Sequence, residues 1–233
     1  MEILKQLDLP EYKQSLEQTI GFLDGLSYSA VKTKYNAKGN WDAVSIRGYS
    51  DDINNILKPG VLKSDVEPAE LRWTSLYEEP AMLPKKEILS HIPAEFERVR
   101  IMRLKAGTTI KKHTDKVDTE IKEGKIVRLH VPLRTNDNVH FYLWEGKDEY
   151  HFNLEVGKYY YVDVSKAHAV HNKKQMCRPS YLSQMMPELN TKNIVEAAKG
   201  GNGRNDPPLL CNAFENFLKF KDDWSQLRVD QSP

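Results

Sequence analysis

Two imidazoles and a carboxylate stand in His113-Thr114-Asp115 and, much later, His168, with Arg178 beyond them. In an extended segment the side chains at i and i+2 point the same way, so His113 and Asp115 can grip one ion from a single strand end. A third ligand must arrive from elsewhere, and His168 is the best placed. Two histidines and one carboxylate on one face of a metal leave open positions for substrate and O₂, the donor set of non-haem Fe(II) oxygenases. Alone, the tripeptide is weak, because a chain with seven histidines can show such a pair by chance in a polar turn. The set of four in a β-rich setting is what points to chemistry.

The elements that would position these residues follow from periodicity and turn residues. His168 lies in Ala167-His168-Ala169-Val170, after the β-prone run Tyr159-Tyr160-Tyr161-Val162 that Gly157 opens. Strands are expected from about Glu97 to Lys105, Ile126 to Leu133, Val139 to Trp144, Phe152 to Leu154, Lys158 to Asp163, Ala167 to Asn172 and Tyr181 to Met185. Many short strands punctuated by turns favour an antiparallel sandwich or barrel. Ahead of them, Leu16, Ile20, Leu23 and Leu26 have helical spacing between Tyr12 and Leu26, and Trp41 to Ile46 alternates as a strand. Short helices are expected around Asp51 to Leu57 and Lys85 to Phe96, the latter interrupted near Pro93. After Pro187 the pattern changes: 191–198 and 210–220 are helix-compatible, and 200–208 is a Gly/Asn/Pro-rich loop with the composition of a lid or a linker. One catalytic domain over 1–233 is expected, with its core at about 97–186, an N-terminal buttress at 1–96 and a C-terminal helical extension at 187–233.

Within the strand from Ile126, Val127 and Leu129 define one face and Arg128 and His130 the other. An inward pair would bind an anion; an outward pair would merely solubilise the strand. Arg178 has the planar fork that matches a carboxylate bidentately, against the ordinary fate of an arginine after a strand, a surface ion pair. His171 competes with His168 but falls on the opposite face of a regular strand. His140 and His151 flank an expected hairpin, and His91 reads as helix or loop surface.

Composition narrows the classes. Lys and Arg number 34 against 33 Asp and Glu, a formal charge of +1, so nothing draws the whole chain to nucleic acid or anionic lipid. Cys177 and Cys211 lack metal-binding spacing and are too few for a disulfide scaffold. No signal-type apolar segment and no membrane-length apolar run is present, so a soluble cytoplasmic protein is expected.

Three stretches together resemble the aspartyl/asparaginyl β-hydroxylase family: Arg103-Leu-Lys-Ala-Gly-Thr-Thr-Ile-Lys-Lys-His-Thr-Asp115, Val127-Arg-Leu-His-Val-Pro-Leu133, and Gly157 to Asn172 with Arg178 following. The resemblance covers approximately 97–186 and, weakly, the segment from Trp41. It implies a mainly β, double-stranded β-helix (jelly-roll, cupin-like) fold with Fe(II) as metal and 2-oxoglutarate and O₂ as co-substrates. By the same resemblance His113 and His168 are metal ligands, and Arg178, ten positions past His168, holds the far carboxylate of 2-oxoglutarate. Arg128 and His130 match further co-substrate contacts. Some polypeptide hydroxylases of the family have glycine where this chain has Asp115; the complete triad here is similar to the branch that hydroxylates free proline.

The reaction so implied converts a substrate C–H, 2-oxoglutarate and O₂ into a C–OH, succinate and CO₂. The expected substrate is a free amino acid or a related small molecule, with a peptide or protein residue as the alternative. For a substrate carboxylate, Arg47, Arg98, Arg100, Arg103 and Arg134 are all candidate donors. Phe141, Tyr142 and Trp144 either wall the cavity or fill the core. A non-catalytic cupin-like binding module is the competing class, and zinc hydrolysis ranks lower, because no carboxylate is evident as a general base once Asp115 is given to the metal.

Overall fold

A computed structural model describes residues 4–7, 9, 11–12, 16–36, 40–58, 70–92, 94, 96–115, 126–173 and 182–190. Arg178, both cysteines, the segments expected to be helical at 191–198 and 210–220 and the 200–208 loop lie outside them.

In chain order the elements are β1 (Leu4–Leu7), α1 (Glu17–Asp24), β2 (Ser29–Ala30), β3 (Trp41–Gly48), β4 (Arg72–Trp73), α2 (Ser75–Glu78), a 3₁₀ turn (Pro80–Met82) and α3 (Leu83–Ser90). Then follow β5 (Phe96–Leu104), β6 (Thr108–His113), β7 (Ile126–Arg134), β8 (Val139–Glu145), β9 (Asp148–Phe152), β10 (Tyr159–Val162), β11 (Ala167–Asn172) and β12 (Leu182–Asn190). Among the described residues the strands form two antiparallel sheets. The larger has the order β1-β10-β7-β12-β5-β3-β2, with β4 on β3, and the smaller runs β6-β11-β8-β9. Two facing antiparallel sheets with short flanking helices make the mainly β, double-stranded β-helix architecture that the motif resemblance implies.

The period-2 alternation of the larger sheet sorts its side chains onto two buried faces. Val99, Ile101, Val127, Leu129, Val131, Met185 and Leu189 point away from the smaller sheet into one core with Leu16 just before α1, Leu23 of α1 and Ile88 and Leu89 of α3. Each such side chain contributes about 1.5–3 kcal/mol by leaving water, so α1 and α3 are held by their apolar faces rather than by caps, of which neither has a side-chain example. The opposite face carries Leu104, Tyr160 and Val162, which meet Ile110, Val139, Phe141, Leu143 and Val170 of the smaller sheet. It also carries the polar side chains Arg98, Arg100, Arg128 and His130, so the gap between the sheets is where chemistry can sit.

Three expectations need correcting. Asp51 to Leu57 is turn and irregular rather than helical, held by local bonds such as Asp52 Oδ1 accepting from the Asn54 amide. The strand expected at Phe152 to Leu154 is β9, which ends at Phe152; its residues Asp148 to His151 are exposed, so no apolar alternation marked it. Most consequentially, β12 does not stop at Pro187 but runs through it to Asn190. A register irregularity between Pro187 and Leu189 absorbs a residue that cannot donate to the ladder. Among the described residues no helix is long and apolar enough to cross a membrane.

Candidate metal centre and its cavity

His113 is the last residue of β6 and pairs across the ladder with His168 of β11. The chain leaving β6 is pinned where the Asp115 amide donates to the Val164 carbonyl at 2.9 Å, and this returns the Asp115 side chain to the two rings. One donor atom from each of His113, Asp115 and His168 lies within 4.8 Å of the others. Asp115 Oδ1 is 3.6 Å from His113 Nε2 and 4.0 Å from His168 Nε2.

The tautomers suit an ion. His113 Nδ1 is 2.7 Å from the Lys111 carbonyl and His168 Nδ1 is 3.0 Å from that of Lys166. A carbonyl can only accept, so each Nδ1 carries the proton and each Nε2 presents a lone pair towards Asp115. Burial pushes the His168 imidazole down to about 4, with Asp115 opposing, which keeps it neutral at physiological pH. Burial works against the Asp115 charge, but Arg128, His168 and His113 outweigh it and hold the carboxyl below its usual range. Two imidazoles whose Nδ1 atoms are committed to carbonyls, and an ionised carboxylate, fit a divalent transition ion bound through three protein atoms.

A pH dependence follows. The depressed His168 pKa means that the unfolded chain takes up a proton between about 6.5 and about 4 that the folded chain refuses. The metal-free protein is therefore expected to lose stability as pH falls through that window. Urea unfolding at a series of pH values should show the slope, and His168→Gln should flatten it; an equally steep slope in the variant would contradict the assignment.

Behind the triad lies a buried ion cluster that periodicity did not reveal. Glu188, fully buried, stands at the β12 irregularity between β5 and β7. Arg98 donates to it through Nε (2.8 Å) and Nη2 (3.0 Å), Arg100 through Nη2 (2.9 Å) and Arg128 through Nη2 (2.7 Å). Burial disfavours the Glu188 charge, yet Arg128, Arg98 and Arg100 pull its carboxyl far below the usual range. Arg128 also donates through Nη1 to Asp115 Oδ2, so one guanidinium ties the free oxygen of the triad carboxylate to the cluster. That bond leaves Oδ1 for the histidine side, the outer support that metal-ligand carboxylates commonly have.

The triad opens into a cavity of about 130 Å³ lined by Arg98, Arg100, Arg128 and His130 together with Trp41, Met102, Phe141 and Met186 among others. Of the described residues lining it, Asp115 is the sole carboxylate. Arg128 and His130 thus form the inward pair. Of the remaining arginines considered for a carboxylate, Arg98 and Arg100 reach the cavity. Arg103 instead pairs with Asp42 (2.9 and 2.8 Å), Arg134 with Asp24 (3.1 Å), and the Arg47 Nε donates to the Phe96 carbonyl (2.9 Å). Phe141 walls the cavity, whereas Tyr142 is on the other face of β8 with its ring 4.6 Å from that of His171. His171 accordingly faces away from the triad. His91 is half-buried and bonded through Nδ1 to the Tyr159 hydroxyl at 2.9 Å, so it packs against the core rather than lying free on the surface. Tyr35, stacked on His113 with centroids 4.6 Å apart, had no sequence signal at all.

A His-Asp-His set at the mouth of a double-stranded β-helix is the mark of the 2-oxoglutarate- and Fe(II)-dependent oxygenase superfamily, and the protein has that catalytic architecture. Within it, the chain belongs to the aspartyl/asparaginyl beta-hydroxylase family, whose model matches residues 23–186. Similar solved structures include a 2OG-Fe(II) oxygenase family oxidoreductase from Burkholderia pseudomallei, at 12% identity over 75% of this chain and 77% of that one, with a TM-score of 0.43. The 2-oxoglutarate-dependent epimerase SnoN of nogalamycin biosynthesis matches at 8% identity, 88% and 87% coverage and a TM-score of 0.47. A Pseudomonas putida prolyl-4-hydroxylase matches at 9% identity, 80% and 92% coverage and a TM-score of 0.41. No curated protein sequence matches the chain significantly.

Proposed function

We propose that this protein is an Fe(II)- and 2-oxoglutarate-dependent hydroxylase of a free amino acid or related small molecule, belonging to the complete-triad branch of its family. The observation that carries the reading is the convergence of His113 Nε2, His168 Nε2 and Asp115 Oδ1 on one point in an arginine-rich cavity. These three side chains would hold the metal. When bound, iron with 2-oxoglutarate supplies the oxidising power to convert an unactivated C–H to C–OH, with succinate and CO₂ released. The protein's own part is to position and exclude. Arg128 orients Asp115, while Arg128 and His130 border the co-substrate and Arg178 pairs with its far carboxylate. Phe141, Val162 and Val170 keep the space beside the triad apolar.

A small substrate is favoured by the cavity's lining, in which the charged Arg98 and Arg100 and the apolar Met102 and Met186 stand together with the triad. A zinc hydrolase is disfavoured because, among the described residues, Asp115 is the sole carboxylate lining the cavity, and Glu188 behind it is bound by three guanidiniums that make it too acidic to serve as a base.

Anaerobic loading with Fe(II) and 2-oxoglutarate, then O₂ and a panel of free amino acids, should give succinate together with one product heavier by one oxygen atom. Product from peptides alone would move the reading to a residue hydroxylase, and neither succinate nor product from any panel would contradict it. Arg178→Ala is expected to raise the KM for 2-oxoglutarate about 10–100-fold, the loss of a charge-assisted pair. An unchanged dependence on 2-oxoglutarate concentration would remove Arg178 from that role.

A further inference from the structure

Arg100 is the least satisfied member of the buried arginine cluster. Each nitrogen of Arg98 is engaged: Nε and Nη2 bond Glu188 and Nη1 donates to the Ile56 carbonyl (3.2 Å). Arg128 is divided between Glu188 and Asp115. Arg100 shares the same Glu188 Oε1 through Nη2 alone, and its buried Nε has no hydrogen-bond partner. The residue is 8% exposed and lines the cavity. Burial and the neighbouring charge of Arg98 press its guanidinium below the usual range, with Glu188 opposing, so a nearby anion would relieve it. One carboxylate cannot neutralise three guanidiniums, and Asp115 serves the triad. An uncompensated buried charge is costly.

Arg100 stands on a different strand from the residues that border the co-substrate, although its Nη2 and that of Arg128 meet on the same Glu188 Oε1. Arg128 and His130 are on β7, and β5 lies beyond β12 on the far side. There Arg100 is paired in register with Met186 and stands two residues before Met102 on the same face, so its fork is flanked by apolar thioether side chains that also line the cavity. A guanidinium with a free donor beside apolar walls suits a carboxylate attached to a short hydrocarbon.

We propose that Arg100 is the specificity-determining residue for the primary substrate, binding a carboxylate of it while Met102 and Met186 contact the adjoining carbon skeleton. This rests on the oxygenase reading above and names the substrate class: a small carboxylic acid, of which a free amino acid is one.

The test is equilibrium titration of the protein loaded with Mn(II), to prevent turnover, and 2-oxoglutarate. The probes are free L-amino acids, each beside its α-carboxamide, with aspartate and glutamate also beside asparagine and glutamine. Wild type should bind at least one acid about 10–100-fold more tightly than its amide, the range of a hydrogen bond to a charged group. Arg100→Gln should erase that preference without changing 2-oxoglutarate affinity, and Arg100→Lys should restore part of it. The acid and amide comparison on wild type needs no variant, and Arg100→Lys carries the test if Arg100→Gln does not fold. An undiminished preference in Arg100→Gln, a parallel loss of 2-oxoglutarate affinity, or a wild type that binds none of the acids would overturn the proposal. Failure of wild type to bind 2-oxoglutarate would instead sink the oxygenase reading, and the same titration shows it.

Discussion

His168→Ala, and equally His113→Ala, is expected to abolish iron-dependent turnover while leaving a folded protein. In the proposed centre each supplies one of two Nε2 donors, and loss of either leaves an imidazole and a carboxylate to hold the ion. The fall in iron affinity should exceed the roughly 10–100-fold that loss of an outer supporting partner costs. Folding should survive, because the strands that carry these histidines are held by the apolar residues Ile110, Phe141, Leu143 and Val170. Iron content after anaerobic loading and circular dichroism separate the two effects. A variant with native iron content and turnover would remove that histidine from the centre; an unfolded one would show that the side chain has a structural role as well.

Glu188→Gln is expected to cause the largest loss of stability of any single change near the cavity, about 3–5 kcal/mol. The substitution keeps the shape but strands Arg98, Arg100 and Arg128 around a neutral amide. The acid dependence has a definite sign. A carboxyl held far below its unfolded value contributes stability that is fully present above about 4.5 and is lost as pH falls through the folded value. The variant should therefore unfold at lower denaturant with an unchanged slope, and the acid limb of its stability curve should be shallower. Because Arg128 joins the cluster to Asp115, weaker iron binding should accompany the loss. A stability within about 1 kcal/mol of wild type, the range of a surface pair, would mean that the three arginines find other partners.

What could be read in the chain beforehand follows from which physical signals are local. β7 was legible as an apolar-rich run between Gly124 and Asn136-Asp137-Asn138 and β11 from its place after the β-prone Tyr159 to Val162, and the spacing of His113 and Asp115 sufficed to place both at one strand end. Arg128 and His130 were recognisable as a pair on one face, but the direction of that face depends on what covers the sheet. β7 is buried on both sides, so hydropathy alone could not decide. Arg98 and Arg100 are told from Arg103 by the strand period, which puts Arg103 on the opposite face of β5, where it meets Asp42 of β3; as on β7, which of the two faces looks into the cavity depends on what covers the sheet. Glu188 was hidden by Pro187, a residue that ordinarily ends a strand; the irregularity that accommodates the proline is what delivers the carboxylate between the arginines. The stacking of Tyr35 on His113 joins a turn to a strand far along the chain, which no periodicity encodes.

The proposed activity requires that His113, Asp115 and His168 hold one iron with positions left for 2-oxoglutarate. It is tested most directly by anaerobic titration of the purified protein with Fe(II) and then 2-oxoglutarate, followed by visible absorption. One iron per chain is expected, with a new charge-transfer band when 2-oxoglutarate is added and both absent in His168→Ala. Iron binding that survives His168→Ala, or iron that gives no band with 2-oxoglutarate, would contradict it.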